Sequence, residues 1–368
     1  MMSAGSSPHR FRALDGWRGI CALLVALFHF GAPGHFYFLP LVRNAWLFVD
    51  FFFVLSGFVI AYAYGGKLRE AASIKDFALR RFARLWPLHV AVLIGFVILE
   101  CIRFSMTGAG FTGERSLFAI VTNLALVQSL GVHDGLTWNT PSWSISTEFY
   151  TYLVFAGTCA VSGNRAVRVL ISIVLMLGSA GVLIFFSRYG MRETFGWGFF
   201  RCICGFFAGV LTYELWTRSE RMIPDGSAME ILSVALVLAF LIFVPGDHAL
   251  EYLAVPVFAC VVFVFAQQRG VLSRMMEMRV VNALGRWSYS IYMVHMLVLA
   301  LLFSALDSIG PVFHQSWTAR AADGSEIILP GGPFAADAFA LFYLAAVIAL
   351  SALTFRFIEK PGQRLFTK

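Results

Sequence analysis

Arg18 and His29 stand 11 residues apart in the first apolar stretch of the chain. On a helix that interval is close to three full turns, so both side chains share one face, about 16 Å apart along the axis. An ionisable group deep in hydrocarbon costs roughly 2.5–3.5 kcal/mol on insertion scales, and such groups usually mark function. Asp50, Glu148, Arg201 and His295 also fall inside apolar segments. A carboxylate beside an imidazole fixes its tautomer and raises its basicity, which is what a general base or a proton relay requires. Asp50 and Glu148 are therefore candidate partners of His29. Helix capping explains either acid as well, and packing against a neighbouring helix explains a lone membrane histidine. On the other side of the bilayer, Arg80-Arg81-Phe82-Ala83-Arg84-Leu85-Trp86-Pro87 opens an apolar run. Arg81 and Arg84 share a helix face. With Arg18 they can line a cationic pocket for a phosphorylated cofactor. Taken alone, the cluster is better explained by simple membrane anchoring, and no glycine-rich phosphate loop accompanies it. Trp143, Tyr150, Tyr289 and His295 can wall an acceptor path; core packing is the plainer explanation for the three aromatics.

The elements that must hold these groups follow from composition. Of 368 residues, 59% are hydrophobic and 13% charged, against about 25% charged in soluble domains. Mean hydropathy is +0.76. The apolar runs are continuous rather than alternating, which selects helices over a barrel. The expected fold is all-α integral membrane: a bundle of about ten transmembrane helices plus one short re-entrant or interfacial helix, forming a single domain over 1-368. The expected spans are 14-33, 45-64, 82-104, 142-161, 166-187, 196-216, 228-245, 250-267, 283-306 and 335-358. The stretch 117-130 is too short to cross and is read as the re-entrant piece. Ten spans put about two thirds of the 28 Lys and Arg residues on the cytoplasmic side. An eleventh crossing at 117-130 leaves more of them outside than inside. Both tails, 1-13 and 359-368, are then cytoplasmic. Asp50 and Glu148 open spans that enter from outside, so both are expected at the depth of His29. The net charge of +7 reflects basic cytoplasmic loops, and no nucleic-acid partner is expected. Cys202 and Cys204 point apart on a helix, which argues against a metal or a disulfide there.

Six segments, taken together, are similar to the acyltransferase-3 family of bacterial membrane O-acyltransferases. They are Leu14-Asp15-Gly16-Trp17-Arg18-Gly19 through His29; Val49-Asp50-Phe51-Phe52-Phe53-Val54-Leu55-Ser56-Gly57-Phe58; Arg80 to Pro87; Ser142-Trp143-Ser144-Ile145-Ser146-Thr147-Glu148-Phe149-Tyr150; Leu284-Gly285-Arg286-Trp287-Ser288-Tyr289-Ser290-Ile291-Tyr292 to His295; and Phe357-Ile358-Glu359-Lys360-Pro361. The likeness covers almost the whole chain in the family's order. His89 departs from it, standing where many relatives carry a tyrosine, and Phe149 replaces a second acid. The resemblance implies a donor acyl-CoA (acetyl-CoA above all) from the cytoplasm and an acceptor hydroxyl, usually on a carbohydrate, at the outer face of a bacterial inner membrane. It implies no metal. On that basis Arg18, Arg81 and Arg84 take the coenzyme phosphates, His29 is the base, Asp50 holds its imidazole and Glu148 orients acceptor or base. An acyl-His29 intermediate stays open, as does a homodimer. A secondary transporter with a His/Asp proton relay fits the same polar axis, and so does a non-catalytic export partner.

Overall fold

The computed structural model describes residues 10–219, 226–244, 246–314, 316–320, 326–329 and 331–365. Most of the N-terminal tail and the last three residues lie outside them. Helices occupy all ten expected spans: α1 Arg12–Phe30, α2 Phe48–Tyr64, α3 Ala71–Thr107, then, beyond the short α4 Leu117–Leu124, α5 Ser142–Val161, α6 Arg165–Phe186, α7 Gly198–Trp216, α8 Gly226–Phe243, α9 Ala254–Phe265, α10 Arg279–Ile309 and α11 Pro333–Thr354. Among the described residues, eight helices are long and apolar enough to cross a membrane. The other two are α5, whose first half is rich in Ser and Thr, and α9, which is short. Helix α4, at 8 residues, rises only about 12 Å and cannot span.

Local chemistry sets the ends. Glu70 and Ser73 form a capping box at α3, Ser116 caps α4 and Asn164 caps α6. Gly31 takes a left-handed φ of 69° to close α1 just after His29. Large apolar side chains such as Ile94, Ile98 and Ile102 on α3 and Leu170, Val174 and Leu177 on α6 are exposed. Repeats of that kind on an outer face suit lipid, not water.

The bundle is drawn tight by small residues. A Cβ on Gly285 of α10 would sit 2.3 Å from the Asp15 carbonyl oxygen, and one on Gly19 would sit 2.6 Å from the Gly285 nitrogen. Helices α1 and α10 therefore touch backbone to backbone, and they run together from there up to His29 and His295. Gly57 and Gly209 make the same close approach between α2 and α7.

After α10 the chain forms a hairpin, β1 Thr318–Arg320 against β2 Glu326–Ile328, in register Thr318↔Ile328. Ile328 is fully buried, and the β2 backbone comes within 4.0 Å of where a Gly31 Cβ would stand. This segment thus folds over the His29 end of α1.

At the other end of the molecule, α11 continues through a π turn, Phe355–Glu359, into Lys360–Leu365. The stretch expected as a C-terminal tail from residue 359 instead begins with a buried carboxylate, Glu359, and packs Gly362 against Pro87 of α3.

Candidate active site

An open cavity of about 850 Å³ runs between α1, α2, α3, α5 and α10. Its walls include Arg18, Arg81, Arg84, Glu148, Tyr289 and Tyr292. Along α2 it reaches from Ile60 to Val49, 11 residues and about 16 Å of helix.

The arginines lie together as expected, but each has different surroundings. Arg18 makes a long contact with Asp15, 3.8 Å on its own helix. Arg81 lies over the rings of Tyr64 and Tyr152, at 5.5 and 6.0 Å, and among the described residues its buried Nε has no hydrogen-bond partner. Arg84 is ion-paired to Glu359 and lies 5.2 Å from the centre of the Tyr289 ring. Glu359 also accepts from Ser290 at 2.7 Å. Tyr289 donates its hydroxyl to the Leu85 carbonyl.

Glu148 is in this cavity, not beside His29. It accepts from the Tyr152 hydroxyl at 2.6 Å, and Ser56 in turn donates to Tyr152 at 2.9 Å. The expected shared depth fails because α5 does not begin at the outer surface. Asn139, just before α5, donates to the carbonyl of Met293 at the middle of α10, and Tyr292 bonds Ser144 at 2.9 Å. The connection from α4 dips into the bundle, and Glu148 lies one and a half turns further in.

Asp50 is also differently engaged. Both its oxygens accept from Arg201 of α7, at 2.9 and 2.7 Å, and both residues are buried. Arg201 further donates to the Glu193 carbonyl and lies over the rings of Trp46 and Trp143. A guanidinium fork satisfies a buried carboxylate better than an imidazole can, so Asp50 closes α2 onto α7 and is not hydrogen-bonded to His29. Trp143 packs in that cluster rather than on the cavity wall. Tyr150 donates to the Ala125 carbonyl at 3.3 Å, also off the cavity.

The partner of His29 is His295. Their ring centres are 5.0 Å apart. His29 donates from Nδ1 to the Val25 carbonyl at 2.9 Å, which leaves Nε2 as its basic nitrogen. Tyr292 lies between this pair and the cavity, its ring 5.9 Å from that of His295 and 5.8 Å from that of Phe52. Sequence reasoning assigned no role to Glu359, Tyr152, Tyr292 or Ser56. The sequence carries the signals: Glu359 is the acid of the segment 357–361, and Tyr292 precedes His295 by about one turn.

Comparisons with known proteins identify the family. A family model described as an acyltransferase domain matches residues 11–356. "Protein 2 in picA locus" of Rhizobium radiobacter is 34% identical over 190 residues, 48% of this chain and 97% of that protein. Acyltransferase MdmB of Streptomyces mycarofaciens is 35% identical over 155 residues, 40% of this chain and 38% of that protein. Peptidoglycan O-acetyltransferase OatA of Listeria monocytogenes is 22% identical over 377 residues, 95% of this chain and 55% of that protein. The chain thus spans only about half or less of the last two. No solved structure matches it significantly.

Proposed function

The chain belongs to the acyltransferase-3 family of membrane O-acyltransferases, and from that membership we propose that it moves an acyl group, acetyl by preference, from cytoplasmic acyl-CoA to a hydroxyl of a carbohydrate at the outer face of a bacterial inner membrane. Ten crossings with both termini in the cytoplasm complete this reading. The observation that carries it is the cavity: three arginines at one end, about 16 Å of depth, and a histidine pair just beyond Tyr292 at the other.

In this mechanism the coenzyme phosphates lie against Arg18 and Arg81. Two unpartnered buried groups on the cavity wall, Arg81 Nε and Ser288 Oγ, support occupancy by a polar ligand, because a buried orphan costs about 1–3 kcal/mol. The pantetheine arm, comparable in length to the cavity, runs along α2 toward Tyr292 and brings the thioester to the His29 level. His29 Nε2 takes the proton of the acceptor hydroxyl as its oxygen attacks the thioester carbonyl, a contribution of roughly 10²–10⁴ in rate. Glu148 orients Tyr152 and Ser56 along the donor.

Reconstitution in liposomes with labelled acetyl-CoA and a polysaccharide acceptor tests this. Acceptor-dependent release of free coenzyme is expected, and His29→Ala is expected to abolish it at normal abundance. Wild-type turnover in that variant removes His29 from the mechanism. Uptake of label with no acyl product indicates a transporter.

A further inference from the structure

We infer that His295 completes the base: His29 and His295 take up one proton between them and share it from Nε2 to Nε2. The inference deepens the reading of His29 as the proton acceptor and rests on it.

The argument is one of hydrogen-bond inventory. Each ring spends its Nδ1 proton on a carbonyl one turn back in its own helix, His29 on Val25 at 2.9 Å and His295 on Ile291 at 3.3 Å. Each neutral imidazole therefore keeps only a lone pair at Nε2. Two lone pairs have no proton to place between them, and among the described residues His295 Nε2 is buried with no hydrogen-bond partner. A first proton changes this, since it creates a charge-assisted donor facing an acceptor. The spacing suits the bridge. The ring centres are 5.0 Å apart, close enough for a small rotation of either side chain to bring the two Nε2 atoms to a bridge of about 3 Å. A second proton is opposed by the first.

The other titratable groups nearby are already committed. Tyr292, on the same helix as His295, bonds Ser144. Tyr343 of α11 donates to the carbonyls of His295 and Ala26. Asp50 of α2 is closed by Arg201 of α7. Among the described residues no carboxylate is hydrogen-bonded to either ring, so the second imidazole takes the place that an acid fills elsewhere. In the reaction, the acceptor O–H bond breaks and its proton goes to His29 Nε2, while the oxygen pair forms the new bond to the thioester carbon. The carbon–sulfur pair leaves on sulfur. The proton held between the rings then passes to that thiolate, giving neutral coenzyme thiol and ester.

His295 is thus a positioning residue acting through His29, and two measurements test it. In the reconstituted enzyme, His295→Phe is expected to lower kcat about 10²-fold with the donor KM unchanged. His295→Gln, whose carboxamide oxygen accepts the shared proton, is expected to stay within about tenfold of wild type. Equal kcat in the two variants, whether wild-type or impaired, overturns the proposal. Nitrogen-15 NMR of the wild-type protein with labelled histidine needs no variant. One proton taken up by the two rings in a single step supports the pair, and two independent titrations overturn it. Full activity of His29→Ala fails the underlying reading instead; an inactive His29→Ala beside a fully active His295→Phe fails only the pairing.

Discussion

Arg81 and Arg84 lie one turn apart on α3, yet their surroundings assign them different work. Arg84 is neutralised by Glu359, a fully buried acid. Arg81 has ring faces for company and, among the described residues, no carboxylate. A free guanidinium on a cavity wall is the one available to a phosphate. Arg81→Ala is therefore expected to raise the donor KM at least tenfold, because a charged hydrogen bond is worth about 1.5–3 kcal/mol, while thermal stability holds. Arg84→Ala is expected to do the reverse first, lowering the melting temperature by leaving Glu359 buried without its cation, a cost of about 3–5 kcal/mol. The paired change Arg84→Met with Glu359→Met is expected to recover most of that stability. Donor titrations and thermal unfolding of the three proteins decide the matter; equal effects of the two alanines on KM would discard the division of labour. The sequence shows the two arginines and their common face. It does not show Glu359 beneath one of them, because that contact depends on α11 continuing past the point where its apolar pattern stops.

Between helices, the Asp50–Arg201 pair is the contact that sequence reading exchanged for another. Arg18 and His29 are legible as a pair because they share one helix, where spacing alone fixes direction. Asp50 and Arg201 are separated by 151 positions, and no local periodicity can match them. The depth of Glu148 departs from the sequence expectation for a related reason. Counting residues from a helix start gives depth only if that start is at the surface, and α5 starts beside the middle of α10. The pairing has a consequence that separates structure from catalysis. Asp50→Ala alone is expected to lower stability by about 3–5 kcal/mol, since a buried guanidinium loses its counter-charge. The double change Asp50→Leu with Arg201→Met replaces both charges with apolar groups of similar size, which is often neutral for stability. Its melting temperature and acyl transfer are expected to return to within severalfold of wild type. A stable but inactive double variant would show that Asp50 acts on the chemistry itself.

Across the whole molecule, two ends of the chain meet at one mouth. Arg18 is in the second turn of α1, and Glu359 lies just past α11, yet both stand at the arginine end of the cavity. An even number of crossings, such as the ten proposed, accounts for this. The His29 end of α1 lies under the hairpin at the opposite end of the bundle. In the proposed reaction, donor and acceptor then approach from opposite faces, each without passing the other. Thiol chemistry gives a direct test, because Cys101 is the one exposed native cysteine; Cys260 is partly exposed and the other four are buried. In a background with Cys101→Ser and Cys260→Ser, a cysteine at Ser56 lies on the cavity wall. A charged, membrane-impermeant thiol reagent is expected to modify Ser56→Cys from the face that carries the arginines and not from the hairpin face. Coenzyme A is expected to slow that labelling at least tenfold, since an occupied cavity excludes the reagent. A cysteine at Phe334, exposed at the start of α11, is expected to show the opposite sidedness and no protection. Labelling of both positions from one face would break the through-membrane arrangement, whatever the identity of the acyl group.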